Sequence, residues 1–279
     1  MRTNPFRRRL LQLAATAAVV PVALLPLGPA TAAPSAAADS FAAPSFTKIE
    51  GAASDAAGLQ PTVDAYRALL GEPNNGSAPG TQPAGRREIN WDGAPDAQSA
   101  PNLLPRDFFN TTVPRGAVFS TGAGNKFQVS ADSDNPTQTA VRFGNINAQY
   151  RENFNVFSAQ RLFTPLGTNR MSVRFFQPGT TKPATVKGFG AVFTDVDKAG
   201  TTKIELYDQW GTQLWWQAVP KGTTANRSLS FLGVKTTADV YEVRITTGNA
   251  PLSSTNTDTS TRDVVVMDDL LYGEPQPLS

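Results

Sequence analysis

The sequence predicts an all-β protein, an antiparallel β-sandwich with one short peripheral helix near its N-terminal end. From residue 86 onward, short runs rich in Val, Phe, Ile, Thr and Tyr are separated by Gly, Pro, Asn and Asp, as turns separate strands. Polar and apolar residues alternate in segments 203–207 and 241–246, the pattern of strands with one buried face. Segment 264–267 is apolar at every position, which indicates a central strand covered on both faces.

Short strands at regular spacing favour a sandwich over other all-β folds. Nothing in the sequence repeats at a fixed period, which argues against a propeller or a β-solenoid. The predicted strands are residues 87–91, 117–120, 126–131, 139–143, 156–163, 171–176, 186–194, 203–207, 213–219, 229–234, 241–246 and 263–271.

Residues 39–85 are rich in Ala, Pro, Gly, Ser and Asn, a composition that buries little apolar surface and predicts a largely extended or mobile segment. One part of it is expected to be ordered, a helix over residues 61–70. Pro61 suits the first helical position and Gly71 the position after the last. The predicted organisation is therefore the segment 39–85 with a linker at 74–85, a sandwich domain at 86–274 and a tail at 275–279.

Residues 1–38 are predicted to be an export signal and not part of the fold. Residues 7–12 have the sequence RRRLLQ, and the segment that follows is apolar, rich in Ala and free of acidic residues. It ends in two small-residue cleavage motifs, at residues 30–32 and 36–38. The motif resembles a twin-arginine signal, but Phe6 stands where Ser or Thr is usual, so a general secretory signal is the alternative. Both predict a secreted, extracellular protein.

Removal of this signal changes the net charge. The full chain has 25 basic and 23 acidic residues, a formal charge of +2. The signal carries four Arg and no acidic residue, so residues 39–279 have a net charge of −2. A slightly acidic surface without basic clusters argues against nucleic acid and anionic membranes as partners. After residue 38 no run of 18 apolar residues occurs, so no membrane span is expected.

The chain contains no His and no Cys, and this limits its chemistry. A Ser-His-Asp or Cys-His relay cannot form, because the chain lacks the side chain that ordinarily titrates near neutrality. Zinc, copper and haem lose their usual nitrogen and sulfur ligands. Carboxylate chemistry and oxygen-ligated calcium are compatible with this composition. Stability has to come from a packed core rather than from disulfides.

Four segments of the sandwich region carry a resemblance to a known group of proteins. They are residues 188–197 (GFGAVFTDVD), 204–208 (IELYD), 230–234 (SFLGV) and 263–272 (DVVVMDDLLY). Together they resemble a widespread group of secreted bacterial β-sandwich proteins with a galactose-binding-like jelly roll. The resemblance spans residues 86–274, and its motifs are short and structural. It implies the jelly-roll fold and, as in some relatives, calcium or carbohydrate binding, but no particular activity.

Asp195 and Asp197 are the first candidate metal ligands. In a strand, residues i and i+2 point to the same face about 6.6 Å apart, so both carboxylates could bind one Ca²⁺. The same separation fits the roughly 6.5–9.5 Å between the two carboxyl groups of an inverting glycosidase. The plainest alternative is an acidic turn, in which Asp accepts hydrogen bonds from backbone N–H groups.

Asp268 and Asp269 are the second candidate pair for a metal. Adjacent strand residues face opposite sides, so only one of the two is expected to point into the core. A buried Asp costs several kcal/mol unless it is paired or metal-bound. In a jelly roll the last strand lies near the first, which would bring the pair close to the charged residues 86–88. A salt bridge with an Arg and a calcium ion are equally good explanations.

Tyr207, Trp210, Trp215 and Trp216 are the candidate ligand-binding residues. Trp210 is predicted at the tip of a hairpin, and because Trp215 and Trp216 are consecutive in a strand, one of them faces outward. An exposed Trp at the tip beside an outward Trp could form a flat platform on which sugar rings stack. The alternative is that these rings cap the hydrophobic core at the sheet edge.

These observations favour a secreted, non-catalytic β-sandwich that binds a polysaccharide or a cell-surface glycan, with a structural calcium ion as a further expectation. The alternative from the enzyme class is a carboxylate-dependent glycan hydrolase or lyase, with Asp195 and Asp197 as its first candidates. A purely structural component of a wall or matrix is the third hypothesis. A cleft in which Asp or Glu converges with Tyr, Lys or Arg would favour the enzyme, whereas a flat aromatic face would favour the binder.

Overall fold

The computed structural model describes residues 42–278 and confirms an all-β protein built from two antiparallel sheets. The finer galactose-binding-like jelly-roll topology stays a prediction. The strands are β1 Phe46–Ala53, β2 Arg86–Ile89, β3 Ala117–Ser120, β4 Phe127–Val129, β5 Phe163–Pro165, β6 Arg170–Phe175, β7 Ala184–Thr194, β8 Lys203–Tyr207, β9 Gln213–Ala218, β10 Leu229–Val240, β11 Glu242–Thr246, β12 Val266–Gly273 and β13 Gln276–Pro277. The α-helices are α1 Ala56–Leu70 and α2 Tyr150–Asn153, with short helical turns at Asp96–Gln98 and Phe108–Thr112.

The larger sheet contains eight strands. Six of them follow the order β1-β10-β7-β12-β5-β4, while β2 pairs with β12 and β13 pairs with β7. The smaller sheet contains five strands in the order β3-β6-β11-β8-β9. In both sheets most neighbouring strands are distant in sequence, so the order of the strands follows from tertiary pairing rather than from simple hairpins.

The main core lies between the two sheets. Alternate side chains point into it, as Ile204 and Leu206 do from β8. Its centre is a group of aromatic rings, in which Trp91 stacks on Phe163 with ring centroids 3.9 Å apart. The indole N–H of Trp91 donates to the backbone oxygen of Asp268 at 2.6 Å, so its one polar atom is satisfied inside the core.

The apolar segment 264–267 is covered on both faces, as the sequence predicts. Val265 and Met267 point into the main core. Val264 and Val266 point the other way, into a second apolar cluster formed with residues outside the sheets, such as Tyr150 at the start of α2. The start of β12 is therefore a central strand, which explains why no position in this segment is polar.

Helix α1 covers the outer face of the large sheet. It begins after Asp55, whose carboxylate accepts a hydrogen bond from the Gly58 N–H at 2.8 Å, and it ends before Gly71. Its buried residues Leu59, Val63, Tyr66 and Leu70 pack on Val192, Leu229, Phe231 and Leu271. The predicted range 61–70 is thus too short, because Asp55 and not Pro61 marks the start of the helix.

Tyr66 reaches the sheet because glycines leave room for its ring. A Cβ atom at Gly190 or at Gly233 would lie 2.7 Å from a ring carbon of Tyr66. The Tyr66 hydroxyl donates to the backbone oxygen of Val234 at 2.9 Å, and burial raises the pKa of this hydroxyl well above its ordinary value. The two glycines therefore set how closely α1 approaches the strands.

The variant Gly233→Ala is expected to lower the free energy of unfolding by about 1–3 kcal/mol, the usual cost of overpacking a core. The added methyl group overlaps the Tyr66 ring and forces α1 away from β10. Urea denaturation followed by Trp fluorescence measures the change. Gly93→Ala is the control, since a Cβ there meets nothing within 4 Å. Equal stabilities of the two variants would contradict the tight packing of α1.

Residues 43–85 belong to the folded domain, which corrects the prediction of a largely extended or mobile segment. The main correction is β1, which pairs with β10 from Phe46 opposite Thr236 to Ala53 opposite Leu229. The sequence of β1 ends in Glu-Gly-Ala-Ala and lacks a strand composition. It forms an edge strand all the same, because backbone N–H and C=O groups of any residue can complete a ladder.

Residues 74–85, predicted as a linker, wrap around the buried guanidinium of Arg87. This group donates to three backbone carbonyl oxygens of the segment at 2.8–3.1 Å. The three oxygens belong to Gly76, Ala78 and Gly80. The same guanidinium pairs with the carboxylate of Glu274 at 2.8 Å. A buried charge that needs several acceptors orders this segment, which has almost no apolar residues of its own.

Two predicted strands, 139–143 and most of 156–163, are wrong. Both segments are turns and irregular structure, apart from Phe163 at the start of β5. Arg142 and Phe143 have φ angles of +51° and +61°, which a strand does not allow. The apolar residues that suggested strands, including Phe143 and Leu162, are buried in the loop cluster around Tyr150. These residues are apolar because they pack beneath loops, and not because they alternate along a strand.

Candidate functional site

The four candidate aromatic residues lie on the β8–β9 hairpin but point in different directions. Trp210 at the turn is 80% exposed and Trp216 in β9 is 59% exposed, whereas Trp215 packs against the main core. The carboxylate of Asp208 accepts hydrogen bonds from the Trp210 and Thr212 N–H groups at 2.9 and 2.8 Å, which fixes the turn. Alternation along β9 therefore leaves Trp216 on the outer face of the small sheet.

The outer face of the small sheet carries a row of polar side chains that ends at Trp216. Across β3, β6, β11, β8 and β9 the row consists of Ser120, Ser172, Arg244, Glu205 and Trp216. Neighbouring strands lie 4.7–4.9 Å apart, so five positions span about 19 Å. The next row consists of Arg170, Thr246 and Lys203 on β6, β11 and β8.

A groove of about 400 Å³ lies over these two rows. Its charged lining residues are Arg170, Lys203, Glu205 and Arg244, and its aromatic lining residue is Tyr207. Trp216 does not line the groove itself, but it is the cross-strand neighbour of Glu205, which does, and so lies next to the margin of the groove. We call this feature the outer groove.

The side chains in the floor of the outer groove hold one another in place. The guanidinium carbon of Arg244 lies 3.8 Å from the centroid of the Tyr207 ring. Glu242 accepts hydrogen bonds from Arg244, Arg174 and Ser172 at 2.6–3.0 Å. Burial alone would raise the pKa of Glu242, but these three donors outweigh burial and lower the pKa below its ordinary value. Glu242 is therefore ionised and fully engaged.

Trp210 lies beside a different cavity, of about 210 Å³, with Thr185, Leu214 and Asp239 among its lining residues. Tyr207 lines the outer groove, so the two residues serve separate surfaces. The four candidate aromatic residues thus do not form one continuous platform.

Asp195 and Asp197 meet a third carboxylate, Asp258, which the sequence alone did not single out. One carboxylate oxygen of each residue lies within 4.8 Å of the other two. Strand β7 ends at Thr194, and Asp195 has φ +72°, so the pair is not the extended i, i+2 pair assumed from the sequence. Asp258 belongs to the loop before β12. It is so distant from Asp195 and Asp197 in sequence that no local spacing pattern could predict their contact. The one available hint is the oxygen-rich run of residues 253–263.

The acidic cluster of Asp195, Asp197 and Asp258 has too few donors. The amide nitrogen of Asn153 lies 2.7 Å from Asp258 Oδ2 and 3.3 Å from Asp195 Oδ2. Two fully buried oxygens, Asp195 Oδ1 and Asp197 Oδ1, have no hydrogen-bond partner within residues 42–278. Over the same part of the chain, no Arg or Lys forms an ion pair with any of the three carboxylates.

Because the cluster has few donors, the pKa values of its carboxyl groups are raised. Burial, with added repulsion from Asp258, raises the pKa of Asp195 to about 9 and that of Asp197 to about 6. Burial also raises the pKa of Asp263, which accepts a hydrogen bond from the Asp197 N–H at 2.9 Å. Lys198 offsets the repulsion at Asp197 only in part. Together the carboxyl groups form a site of concentrated, uncompensated negative charge.

Asp268 and Asp269 lie together elsewhere, and the expectation that they face opposite sides is wrong. The register of β12 against β7 shifts between Met267 and Leu270, and this irregularity brings both carboxyl groups to one hydroxyl. Ser158 Oγ lies 2.9 Å from Asp268 Oδ1 and 2.8 Å from Asp269 Oδ1. One hydroxyl has one proton to donate, so at least one of the two carboxyls has to supply a proton itself.

The basic partner of this pair is Arg67 of α1, with 3.7 Å between its Nη2 and Asp269 Oδ2. Arg86 and Arg87, the partners expected from the sequence, bind Glu88 and Glu274 instead. Burial first, and then the neighbouring carboxyl, raises the pKa of Asp268. Burial raises the pKa of Asp269 to about 6.

Asp269 lines a polar cleft of about 290 Å³ beside α1, together with Arg67, Glu88, Arg115 and Ser158. Here carboxylates and guanidinium groups converge, which is the arrangement that favours an enzyme.

Comparisons with known proteins add no relatives: no protein-family model, curated protein or solved structure matches this chain. Among residues 42–278, no helix is long and apolar enough to cross a membrane.

Proposed function

We propose that this chain is a secreted, non-catalytic β-sandwich protein that binds carbohydrate, a polysaccharide or a cell-surface glycan, on the outer face of its small sheet. One observation carries the proposal: the Trp216 side chain is 59% exposed at the margin of the outer groove. Trp is enriched in binding interfaces relative to the rest of a protein surface. A sugar ring has an apolar face that can cover such an indole and hydroxyl groups that need polar partners.

The outer groove offers those partners. Arg244 supplies hydrogen-bond donors through its terminal nitrogens, and Glu205 supplies an acceptor, along the row that leads to Trp216. The network around Glu242 holds Arg244 in position before any ligand arrives. A preformed site loses less side-chain entropy on binding, which favours recognition of a flexible glycan.

A structural calcium ion at Asp195, Asp197 and Asp258 is part of the same proposal. Calcium takes six to eight oxygen ligands, and carboxylates are its commonest protein ligands. The two unpartnered oxygens of Asp195 and Asp197 support this assignment. Rotation of the Asn153 amide would turn its oxygen into the cluster, and solvent would complete the shell. The ion would fasten the loop that carries Asp258 to the end of β7. Its role is therefore support of the fold.

Export completes the proposal. The predicted signal, residues 1–38, lies outside the residues that the structure describes. Its Arg-rich start, apolar centre and small-residue end support secretion by the twin-arginine or the general secretory route.

A carboxylate-dependent glycan hydrolase or lyase is the second candidate function, and the cleft at Asp269 favours it. Glu88 and Asp269 both lie against Arg67 there, and a pKa of about 6 at Asp269 suits a general acid. Asp195, the first candidate from the sequence, is fully buried and does not line this cleft, whereas Asp269, although only 2% exposed, does. The cleft therefore replaces the Asp195–Asp197 pair as the place where such an activity would lie.

The binding proposal predicts that residues 39–279 are retained on at least one of a panel of insoluble polysaccharides and cell walls. Trp216→Ala is expected to weaken retention roughly three- to tenfold, the usual value of one aromatic stacking contact. Trp210→Ala tests the hairpin tip separately. Leu103→Ala, which removes another exposed apolar side chain (45% exposed), is the control and is expected to bind normally.

The same panel separates the alternatives. Retention without release of reducing ends or unsaturated sugars supports the binder. Release that disappears in Asp269→Asn would establish the enzyme instead. Absence of both retention and release would leave the purely structural wall or matrix component as the remaining hypothesis and would refute carbohydrate binding for the ligands tested.

A further inference from the structure

The outer groove has a positive charge, although the mature chain is slightly acidic. Four cations and two anions lie on the outer face of the small sheet: Arg170, Arg174, Lys203 and Arg244 against Glu205 and Glu242. Residues 39–279 as a whole have a net charge of −2. The positive charge is therefore concentrated on this face and not spread over the surface, and it favours an anionic ligand.

The two acidic side chains on this face are already neutralised. Glu242 is 6% exposed and receives hydrogen bonds from Arg174 and Arg244. Glu205 pairs with Lys203 at 3.1 Å. Neither carboxylate is left to repel an incoming anion, and Glu242 fixes the direction of the guanidinium groups around it.

Arg170 is the cation without a partner. Its side chain is exposed, lines the outer groove, and forms no ion pair or hydrogen bond with any residue from 42 to 278. Lys203 lies two strands away in the same row, about 10 Å from Arg170 by strand spacing. Two cations at this separation can contact successive anionic groups along an extended polymer.

We infer that the outer groove binds an acidic polysaccharide, one whose sugar units carry carboxylate or sulfate groups. This inference rests on the proposed carbohydrate binding and specifies its ligand class. Arg170 contacts the anionic groups, since its guanidinium forms strong paired hydrogen bonds with an oxyanion, and Lys203, whose ammonium has further protons to donate besides the one facing Glu205, adds a second positive charge. Trp216 covers the apolar face of a neighbouring ring at the margin of the groove. Neutral polysaccharides keep the stacking contact but lose the charged contacts.

Binding of residues 39–279 to polygalacturonate, compared with the same polymer after reduction of its carboxyl groups, tests the inference. Chondroitin sulfate and its desulfated form are the second pair and distinguish sulfate from carboxylate. We expect each acidic polymer of the preferred chemistry to bind at least tenfold more tightly than its neutral counterpart. Binding should weaken as NaCl rises from 20 to 300 mM, because salt screens exposed charges.

Arg170→Gln is the deciding variant, because the loss of an unpartnered exposed side chain leaves the fold intact. It is expected to lower affinity for the acidic polymer about tenfold and to leave binding to the neutral polymer unchanged. Lys182→Gln removes the same charge from an exposed position outside the outer groove and is expected to have no effect. A fluorescence titration with soluble polymers measures all these affinities.

The outcomes separate this inference from the proposed function. Equal affinity for acidic and neutral polymers, with sensitivity to Trp216→Ala, would overturn the acidic ligand and keep carbohydrate binding. Binding of double-stranded DNA as tight as that of the acidic polymer would overturn the inference in favour of general attraction to polyanions. Failure to bind any polysaccharide would overturn both.

Discussion

Calcium is expected to raise the thermal unfolding midpoint of residues 39–279, and EDTA is expected to reverse the rise. A ligand that binds only the folded state stabilises it by about 2.7 kcal/mol at a concentration 100 times its dissociation constant. Here the ion would relieve repulsion among Asp195, Asp197 and Asp258, whose oxygens lie within 4.8 Å of one another. Scanning calorimetry in millimolar calcium and in EDTA measures the change.

The calcium effect is expected to grow with pH. In the absence of metal the folded-state pKa values of Asp195 and Asp197 are about 9 and 6, above the unfolded value of 3.8. The folded state then binds more protons than the unfolded state, so metal-free stability from this cluster falls as pH rises from about 4 to about 9. Calcium binds the ionised carboxylates and competes with protons, so its stabilisation is larger at pH 8 than at pH 5.

Asp195→Asn is the matched variant for the cluster, because Asn keeps the shape of the side chain and tolerates the φ of +72°. We expect this variant to lose the calcium effect and, in EDTA at pH 8, to be more stable than the unaltered protein. Asp134→Asn in an exposed loop is the control. The calcium site would be refuted if calcium failed to move the midpoint at pH 8 and equilibrium dialysis detected no bound ion.

Arg87→Ala is expected to destabilise the fold strongly, with a loss of about 3–5 kcal/mol in the free energy of unfolding. Both side chains of the Arg87–Glu274 pair are almost entirely buried. Removal of the guanidinium leaves Glu274 charged in the interior and frees the carbonyl oxygens of residues 76, 78 and 80. Urea denaturation measures the loss, and faster proteolysis within residues 74–85 accompanies it.

An exposed ion pair supplies the comparison. Lys187 and Asp239 lie 2.8 Å apart with side chains 46% and 52% exposed, so Lys187→Ala is expected to cost about 0–1 kcal/mol. The double variant Arg87→Met, Glu274→Leu is expected to recover only part of the stability lost in Arg87→Ala, since no unpaired charge remains buried but the carbonyl oxygens of residues 76, 78 and 80 still lack their donor. A loss below about 1 kcal/mol in Arg87→Ala would show that this pair does not hold residues 74–85 in place.

The alternation of apolar and polar residues predicted most strands of the sandwich, because a strand with one buried face has apolar side chains at every second position. Segments 203–207 and 117–120 coincide with β8 and β3, and segment 264–267 is covered on both faces. The predictions failed in segments whose secondary structure cannot be inferred from the pattern of apolar residues. Strand β1 has a weak composition but a complete backbone ladder, and Phe143 of the predicted strand 139–143 is buried in a cluster beneath loops.

For the candidate site residues, too, local pattern predicted some positions and failed where contacts between distant residues decide. Local turn chemistry and alternation placed Trp210 at a tip and one of the two adjacent Trp residues outward. No local rule could unite Asp258 with Asp195, or direct Asp268 and Asp269 to the same hydroxyl. The first requires a long loop to fold back, and the second depends on a register shift within β12.

The sequence by itself determined the fold class, the absence of His and Cys chemistry, and the acidic residues and aromatic residues available to a site. These follow from composition and from the two-residue period of a strand, which need no knowledge of partners. Only the tertiary structure decided which of those residues meet. Pairing between strands distant in the chain brings Arg170 and Lys203 to the outer groove, and a loop that folds back brings Asp258 to Asp195. Both depend on contacts between residues far apart in sequence, and local pattern carries no record of such contacts.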